Sequence, residues 1–361
     1  MRPIQATLLM TLLLALVPAA LASTKWYVDG VNGSDNNDCK TPTTACKTIG
    51  HAVSLARSGD SIRIAAATYI ENLLIGVNVT VIGSGAKTTI IDGGRIGTVV
   101  NVSNGFVVSL TNLTIRNGNA HGFGGGGIVN AGTLTINNCT ISNNTAFGSD
   151  FGGGDGGGIY NFPAGTLKIN NSTVNGNTAS RGATGSGGGI FNFGNLTINN
   201  STFYGNSAGG NDGYGGGICN VSVLSMSSST VSGNSATNGS GIYGGVGTSL
   251  QNSIVANNPG GNCSGNLVSN GYNISNDGTC NFNNIGDLNN TDPKLGPLQN
   301  NGGPTQTQAL LLGSPAIDAG NPSGCTDNKG NLLKTDQRGM PRPDKEDSGG
   351  CDMGAYERQS D

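Results

Sequence analysis

Hydrophobic and polar positions alternate in short blocks that recur along the middle of the chain. The block "GGGIVNAGTLTINNCTISNNTA" covers residues 125–146, and near-copies follow at 156–179, 187–208 and 215–236. Alternation of this kind is typical of half-buried strands. Gly and Asn separate one strand from the next, because both accept left-handed backbone angles at low cost. The pattern predicts three short strands joined by bends in each copy.

The spacing of the copies indicates how the strands are arranged. The isoleucine after each glycine run recurs at 128, 159, 190, 218 and 242, at intervals of 31, 31, 28 and 24 residues. A constant block at a varying interval indicates a fixed coil that carries loops of variable length. Stacked coils place each strand beside its equivalent in the next coil and form parallel sheets along one axis. We therefore predict an all-β solenoid.

Asparagines recur at one position of the repeat. Asn144, Asn177, Asn206 and Asn234 each lie three residues after a large apolar residue, and Asn257, three residues after Ile254, continues the series. Equivalent residues of neighbouring coils lie about 4.8 Å apart, so their side-chain amides can bond in a ladder. We predict a structural ladder of these five asparagines; a polar recognition stripe is the functional alternative.

The N-terminus has the pattern of a secretory signal peptide. A basic start at Arg2 precedes the apolar run 8–20, and Ala20-Leu21-Ala22 forms the small-x-small cleavage pattern. We expect residues 1–22 to be removed; an uncleaved anchor is the alternative. No second apolar run of spanning length follows. We therefore expect no integral membrane segment after the signal is removed, and a secreted or cell-surface protein.

The eight cysteines agree with an oxidising destination. Proximity along the chain suggests three disulfides, although eight cysteines allow 105 pairings: Cys39–Cys46, Cys263–Cys280 and Cys325–Cys351. Cys139 and Cys219 occupy different positions of the repeat, so we expect both to be free thiols. The sequence contains no C-x-x-C spacing and only two histidines, so we expect no metal site.

Charge is sparse along the chain. Charged residues make up 11%, the net charge is −3 and no basic run occurs, which argues against a nucleic-acid partner. Four charged residues fall in the variable loops before GGGI blocks and would gather on one edge of the stack: Asp150, Asp155, Arg181 and Asp212. They are either a candidate site or ordinary solvated loop charges.

The repeats resemble a known family. The GGGI blocks and "FYGN" (203–206) are similar to the repeats of polymorphic outer membrane proteins, and the chain resembles right-handed parallel β-helix proteins of the pectin-lyase-like superfamily. The segment "CKTIGHAVSLARSGDSIRI" (46–64) resembles the start of such a helix. Within it, Ile49, Ala52, Val53 and Ala56 have helical spacing and predict a short helix that caps the first coil.

The end of the chain carries a further resemblance. "NGGPTQTQALLLGSPAIDAGNP", "DQRGMPRP" and "CDMGAYE" resemble the choice-of-anchor Q domain of secreted bacterial β-helix proteins. We expect a disulfide-containing C-terminal cap here. Relatives often continue into an anchoring tail; this sequence ends in "RQSD", and the means of surface retention stays open.

These observations predict the following organisation. The predicted segments are a signal peptide (1–22), an N-terminal segment and cap (23–60), parallel β-helix repeats (61–260), a disulfide-closed connecting segment (261–291), a choice-of-anchor Q-like region (292–357) and a tail (358–361).

Two functions follow from the resemblance and the residues. Because the repeats place Asn, Thr, Ser and Gly at nearly every polar position, we favour an exported, non-catalytic, adhesin-like or glycan-binding protein without a cofactor. Its partner would be an extracellular polysaccharide or a cell-surface component.

Lyases of the superfamily use acids to hold Ca²⁺ and an Arg or Lys as base. The resemblance therefore implies, as the alternative, a calcium-assisted polysaccharide lyase with Arg181 as base and Asp150, Asp155 and Asp212 as acids. The oligomeric state stays open.

Overall fold

The computed structural model describes residues 23–122, 124–148, 154–181, 184–327, 329–344 and 350–360, except for the side chain of Arg181. The predicted signal peptide lies outside these residues.

The described chain is almost entirely β-structure. It contains one helix, α1 (Ile49–Leu55), a 3-10 turn (Pro42–Thr44) and 31 strands. The strands before the first GGGI block are β1 (Lys25–Val28), β2 (Asp60–Ile64), β3 (Ala67–Ile70), β4 (Leu73–Ile75), β5 (Val79–Gly83), β6 (Thr89–Asp92), β7 (Val100–Val102), β8 (Val107–Thr111), β9 (Thr114–Arg116) and β10 (Asn119–His121). The repeats then form β11 (Ile128–Asn130), β12 (Thr133–Asn137), β13 (Thr140–Ser142), β14 (Thr145–Gly148), β15 (Ile159–Asn161), β16 (Thr166–Asn170), β17 (Thr173–Asn175), β18 (Thr178–Arg181), β19 (Ile190–Asn192), β20 (Asn195–Asn199), β21 (Thr202–Tyr204), β22 (Ser207–Ala208), β23 (Ile218–Asn220), β24 (Val223–Ser227) and β25 (Thr230–Ser232). The remaining strands are β26 (Ile242–Gln251), β27 (Ile254–Ala256), β28 (Cys263–Ser269), β29 (Ile274–Ser275), β30 (Leu295–Gln299) and β31 (Thr307–Leu310).

Three faces run along the stack of coils. Face 1 consists of β1, β2, β5, β8, β12, β16, β20 and β24; face 2 of β3, β6, β9, β13, β17, β21, β25, β27 and β29; face 3 of β4, β7, β11, β15, β19 and β23. The long strand β26 extends both face 3 and face 1, and it pairs with β28, so these faces join as one 16-stranded sheet. A minor sheet, β10-β14-β18-β22, lies between faces 2 and 3 along the chain. These pairs are parallel, and the fold is a right-handed parallel β-helix.

The register of the strands confirms the predicted stacking. Ile128, Ile159, Ile190, Ile218 and Ile242 lie in one continuous row of face 3, and all five are fully buried. The inward residues of faces 1 and 2 form similar apolar rows, such as Leu134–Leu167–Leu196–Leu224. The core is therefore a narrow column of Ile, Leu and Val inside the coils.

A ladder of buried asparagines lies at the bend after face 2. The side-chain Nδ2 of Asn144 donates to Oδ1 of Asn177, Asn177 to Asn206, and Asn206 to Asn234, each at 2.9 Å. The next member is Asn258, whose Oδ1 accepts from Asn234 Nδ2 at 3.0 Å. The ladder thus connects successive coils through their interior.

The prediction that Asn257 belongs to this ladder is wrong. Val231 pairs with Val255, not with Ile254, so the equivalent asparagine is one residue later. Asn257 is exposed, has a left-handed φ of 60° and contacts the side chain of Asn276. The error arises because Ile254 and Val255 are both large and apolar, so the sequence fits either register.

The first coil is closed by the predicted capping helix. Ile49 and Ala52 of α1 are fully buried, and Val53 and Ala56 pack against the core. The Glu71 carboxylate accepts the backbone N–H groups of Ile49 and Gly50 at 2.9 and 2.8 Å. This contact ties the start of α1 to the coil beneath it.

Three disulfides and two thiols account for the cysteines. The disulfides are Cys39–Cys46, Cys263–Cys280 and Cys325–Cys351, and Cys139 and Cys219 are free and buried. Cys263 and Cys280 belong to the core together with Phe282, so this disulfide covers the last coils.

The C-terminal segment contains the expected disulfide, but it lies along the side of the stack. Thr173 and Thr202 of face 2 donate to Gln306 O and Gln337 Oε1, both at 2.6 Å. Farther along, the outward row changes from Thr230 to Ile254 and Ile274. These isoleucines are buried against a cluster formed by Leu310, Ala316 and Met353. The segment covers face 2 because that face presents hydroxyls and an apolar patch.

Candidate functional site

The outer surface of face 3 carries a row of aromatic side chains. Tyr160 and Phe191 occupy equivalent positions of adjacent coils, with ring centroids 5.3 Å apart in a stacked arrangement. The row continues through Cys219 to Tyr243, whose ring meets that of Tyr214 edge-on at 4.9 Å. We call the six rings Tyr160, Phe162, Phe191, Phe193, Tyr214 and Tyr243 the aromatic strip.

Phe162 and Phe193 widen the strip at the bend toward face 1. The Phe162 ring lies 4.8 Å from that of Tyr160, and the Phe193 ring 6.1 Å from that of Phe191. Phe193 is 46% exposed, and the other rings are partly buried. The strip therefore presents an apolar surface to solvent, and contacts between neighbouring rings restrict the movement of its side chains.

A second asparagine ladder fixes the bend between these rings. Asn130 Nδ2 donates to Asn161 Oδ1, Asn161 to Asn192, and Asn192 to Asn220, at distances of 2.6–2.7 Å. Asn161 lies between Tyr160 and Phe162 and points inward, so its neighbours point outward. The ladder holds the aromatic side chains on the outer surface.

Glycine runs let the coils approach closely beside the strip. Gly187 has a φ of +66°, and a Cβ at Gly188 would lie 2.5 Å from the carbonyl oxygen of Gly216 in the next coil. A side chain at Gly188 would therefore push the coils apart. The GGGI blocks serve to keep the rows of face 3 in register.

One carboxylate lies at the edge of the strip. Asp155 Oδ1 accepts the backbone N–H of Ser186 at 3.0 Å, and Ser186 pairs with Tyr214 in the next coil. Burial, together with the negative charge of Asp155, raises the pKa of the Tyr160 hydroxyl. The same two causes raise the pKa of Cys219 strongly, so that thiol stays protonated. The edge thus combines aromatic, carboxylate and hydroxyl groups.

Only part of the predicted loop set belongs to the described residues. Asp155 precedes a GGGI block, and the exposed Asp212 is two residues before Tyr214. The backbone of Arg181 ends β18 and pairs with Gly148; its side chain and the whole of Asp150 lie outside the described residues. The structure therefore places two of the four side chains.

One group of metal-ligand residues occurs within the described part of the chain. Cys39, Cys46 and His51 lie close enough to share an ion. Cys39 and Cys46 are joined as a disulfide, so neither offers a thiolate. This cluster does not provide a metal site.

The aromatic strip was missed in the sequence, although a signal for it exists. Tyr160 and Phe191 each follow the isoleucine of a GGGI block, and an Asn separates each from a second aromatic residue. Aligning the copies by this isoleucine shows the shared position. That both rings face solvent, and not the core, requires the coil geometry.

The chain was compared with protein families, curated protein sequences and solved structures. No model of a protein family matches the sequence, and no curated protein sequence matches it. Among solved structures, a pectin methylesterase from carrot is 13% identical, with a TM-score of 0.46 over 74% of this chain and 84% of that chain. Pectate lyase Pel9A is 14% identical, with a TM-score of 0.45 over 94% and 97%. Pectin methylesterase PemA from Erwinia chrysanthemi is 12% identical, with a TM-score of 0.43 over 71% and 90%.

Within the described ranges, no helix has the length and apolar character needed to cross a membrane.

The coil arrangement of the protein is established by the pairing of its strands and not by the similarity to solved structures.

Proposed function

We propose that this protein is a non-catalytic, exported β-helix that binds glycans outside the cell or at its surface through the aromatic strip. The observation that supports this proposal is the row of outward rings on face 3, with Tyr160 and Phe191 stacked at 5.3 Å. Exposed apolar surface of this kind is typical of an interaction site.

Glycans suit the strip because of its chemistry. The C–H face of a sugar ring packs on an aromatic ring, and its hydroxyls bond to polar groups at the edge. Asp155 and the hydroxyls of Tyr160, Tyr214 and Tyr243 supply such groups. Coils repeat about every 4.8 Å, so an extended polymer would meet similar contacts in successive coils. Weak contacts repeated in this way add up through multivalency.

The strip is also organised before any ligand binds. The asparagine ladder beneath it fixes the bend, and neighbouring rings limit each other's movement. Rings that are already held in place lose little conformational freedom on binding. This arrangement favours binding without a closing motion.

The alternative function is a calcium-assisted polysaccharide lyase. It would use Arg181 as base and Asp150, Asp155 and Asp212 as acids. Asp155 bonds to Ser186, which pairs with Tyr214 of the aromatic strip. A lyase needs its base and its acids around one sugar bond. Asp155 also organises the backbone of Ser186, which is a structural use of that carboxylate.

Export and surface location are part of the proposal. They rest on the signal-peptide pattern of residues 1–22, the similarity of the repeats to polymorphic outer membrane proteins and the choice-of-anchor Q-like region 292–357. Expression in a bacterial host with and without residues 2–22, followed by fractionation, tests this part. Equal amounts in the cytoplasm for both forms would contradict export.

Binding is tested with a pair of matched phenylalanines. The purified protein is screened on a glycan array, and the affinity for the best glycan is measured calorimetrically. Phe193→Ala should weaken binding about fivefold, the effect of losing one aromatic contact of about 1 kcal/mol. Phe147→Ala is the control, because Phe147 on the minor sheet is similarly exposed, at 48% against 46%.

Three results would overturn the proposal. They are no glycan binding by the wild type, equal weakening by the two substitutions, and release of unsaturated oligosaccharides with Ca²⁺. If that release is lost in Arg181→Ala, the protein is the lyase.

A further inference from the structure

The outer surface of face 1 carries two rows of polar side chains, and one of these rows includes the positively charged Lys168. One outward row consists of Ser109, Thr135, Lys168, Thr197, Ser225 and Ser249. The next consists of Asn137, Asn170 and Asn199, in which Asn199 Nδ2 donates to Asn170 Oδ1 and Asn170 Nδ2 to Asn137 Oδ1. Hydroxyls and amides both donate and accept hydrogen bonds, as sugar hydroxyls do.

The loop formed by residues 325–327 and 329–335 lies as a wall beside these rows. It is anchored at one end by the Cys325–Cys351 disulfide and by Gln251, which donates to Thr326 at 3.3 Å. At the other end Asn200 Nδ2 donates to Thr335 O at 2.8 Å. Asp327 accepts the N–H groups of Lys329 and Asn331, both at 2.9 Å, and so shapes the turn. The wall is therefore a tethered element.

Two adjoining cavities lie between the wall and face 1. One has a volume of about 370 Å³ and is lined by Asn170, Asn199 and Lys334, and the other, of about 270 Å³, by Thr197, Ser225 and Lys329. Lys168 and Asp327 line both. Together the cavities fall within the range of about 300–1,000 Å³ that is typical of ligand-binding sites.

A residue that lines the larger cavity has an unmatched acceptor. Asn199 is only 4% exposed, and its Oδ1 is buried without a hydrogen-bond partner among the described residues. An unsatisfied buried polar atom costs about 1–3 kcal/mol. Rotation of the Asn199 amide toward the cavity, where a ligand hydroxyl could donate to this oxygen, would remove the cost.

The charge of the cavities is positive overall. Three lysines, Lys168, Lys329 and Lys334, face one carboxylate, Asp327. Partial burial acts to raise the pKa of Asp327, but hydrogen bonds from Asn331 and Lys329 and the charge of Lys168 outweigh it and lower the pKa. None of the three ion pairs in the described structure includes Lys168. Among the described residues, its ammonium group therefore has no carboxylate at salt-bridge distance, although its charge acts on Asp327.

We propose that these cavities bind an anionic saccharide, whose acidic group pairs with Lys168 and whose hydroxyls bond to the amides of Asn170 and Asn199. This site is separate from the aromatic strip, since it lies on face 1 and the strip on face 3. Its ligand class is acidic, whereas the strip selects for the faces of sugar rings.

The test compares two lysines of one row. Lys25 of β1 occupies the same outward row as Lys168, five strands away and outside both cavities. Binding of a heparin hexasaccharide, a hyaluronan hexasaccharide and neutral maltohexaose is measured calorimetrically at low ionic strength. Lys168→Met should weaken binding of an acidic hexasaccharide about tenfold, as loss of one charge-assisted hydrogen bond does. Lys25→Met should leave the affinity unchanged.

Protection of the lysines provides a second measurement. Reductive methylation followed by mass spectrometry should show Lys168 protected by the acidic hexasaccharide and Lys25 not protected. Binding of heparin alone would identify sulfate as the acidic group, and binding of both acidic probes would show that a carboxylate suffices. Either result supports the site.

Several outcomes would overturn the proposal. They are no binding of either acidic probe, equal weakening by the two substitutions, or binding of neutral maltohexaose by the wild type as tight as that of the acidic probes. Phe193→Ala separates the two sites, because it should affect the aromatic strip and leave the acidic probe bound as in the wild type.

Discussion

Face 2 and face 3 are built from the same coils, yet they meet solvent differently. Face 2 presents Thr173, Thr202 and Thr230 in an outward row, and the C-terminal segment lies on them. Face 3 presents aromatic rings, and they stay partly open. The difference shows that the inward residues determine the coil, whereas the outward row decides whether a face becomes a packing surface or a binding surface.

The largest expected effect comes from detaching the C-terminal segment. Arg342 is buried, pairs with Glu357 at 2.7 Å and donates to Asn200 Oδ1 at 3.0 Å. Removing Arg342 leaves these two acceptors and the carbonyl oxygen of Gly354 without their donor, and each buried acceptor without a partner costs about 1–3 kcal/mol. We expect Arg342→Met to speed hydrogen exchange of residues 300–357 and leave glycan binding at face 3 unchanged.

The control is an exposed pair. Arg116 is 37% exposed and lies 2.8 Å from Asp92, so Arg116→Met should cost about 0.5 kcal/mol. If exchange is equally fast in both variants, the buried pair does not hold the segment. If Arg342→Met abolishes binding at face 3, the two faces are not independent.

An intermediate effect concerns the asparagine ladder at the bend after face 2, which runs from Asn144 to Asn258. Asn258 donates to Asn262 Oδ1 at 2.9 Å and accepts from Asn234 at 3.0 Å. Asn258→Ala should lower the free energy of unfolding by about 2–3 kcal/mol, because it leaves buried amides unpaired. Asn257→Gly should change it by less than about 0.5 kcal/mol, since glycine accepts the left-handed φ. Equal losses in urea unfolding would contradict the corrected register.

A further expected effect is a pH dependence of the C-terminal segment that lies on face 2. Burial, opposed by the charge of Arg342 and assisted by that of Asp352, raises the pKa of Glu357 to about 8. Between its ordinary pKa and about pH 8, the folded state holds a proton that the unfolded state has lost. The stability of the segment should therefore fall as pH rises through this window, by at most about 1.4 kcal/mol per pH unit.

Hydrogen exchange of residues 350–357 from pH 5 to pH 8 measures this dependence. Glu357→Gln should flatten it between about pH 6 and pH 8, because that side chain does not titrate; burial raises the pKa of Asp352 to about 6, so a dependence below that pH remains. Exchange that slows as pH rises, after correction for the intrinsic rate, would contradict the raised pKa.

Much of the coil could be predicted from the sequence, because stacking repeats the same environment. Ile128, Ile159 and Ile190 meet equivalent neighbours, so their spacing alone indicates one row. Cys39 and Cys46 are only seven residues apart, so their disulfide could be predicted from proximity along the chain. Where local repetition is ambiguous, as at Ile254 and Val255, the prediction of the ladder failed by one residue.

The remaining features depend on contacts that the repeat does not encode. Gln337 reaches Thr202 across 135 residues, and Arg342 reaches Asn200 across 142. Periodicity contains no information about such pairs, so the position of the C-terminal segment was not predictable. The cavities beside Lys168 depend on the same segment and were hidden for the same reason.

The two buried asparagine ladders, unlike the outward row Asn137–Asn170–Asn199 of face 1, have their dipoles aligned in the same direction. From Asn144 to Asn258, each Nδ2–H donates toward the C-terminal end of the stack, and the ladder beneath the aromatic strip has the same direction. Amide dipoles joined head to tail polarise one another. Each added coil that repeats the asparagine therefore strengthens the bonds already present, so duplication of whole repeats is a favourable way for such a protein to grow longer.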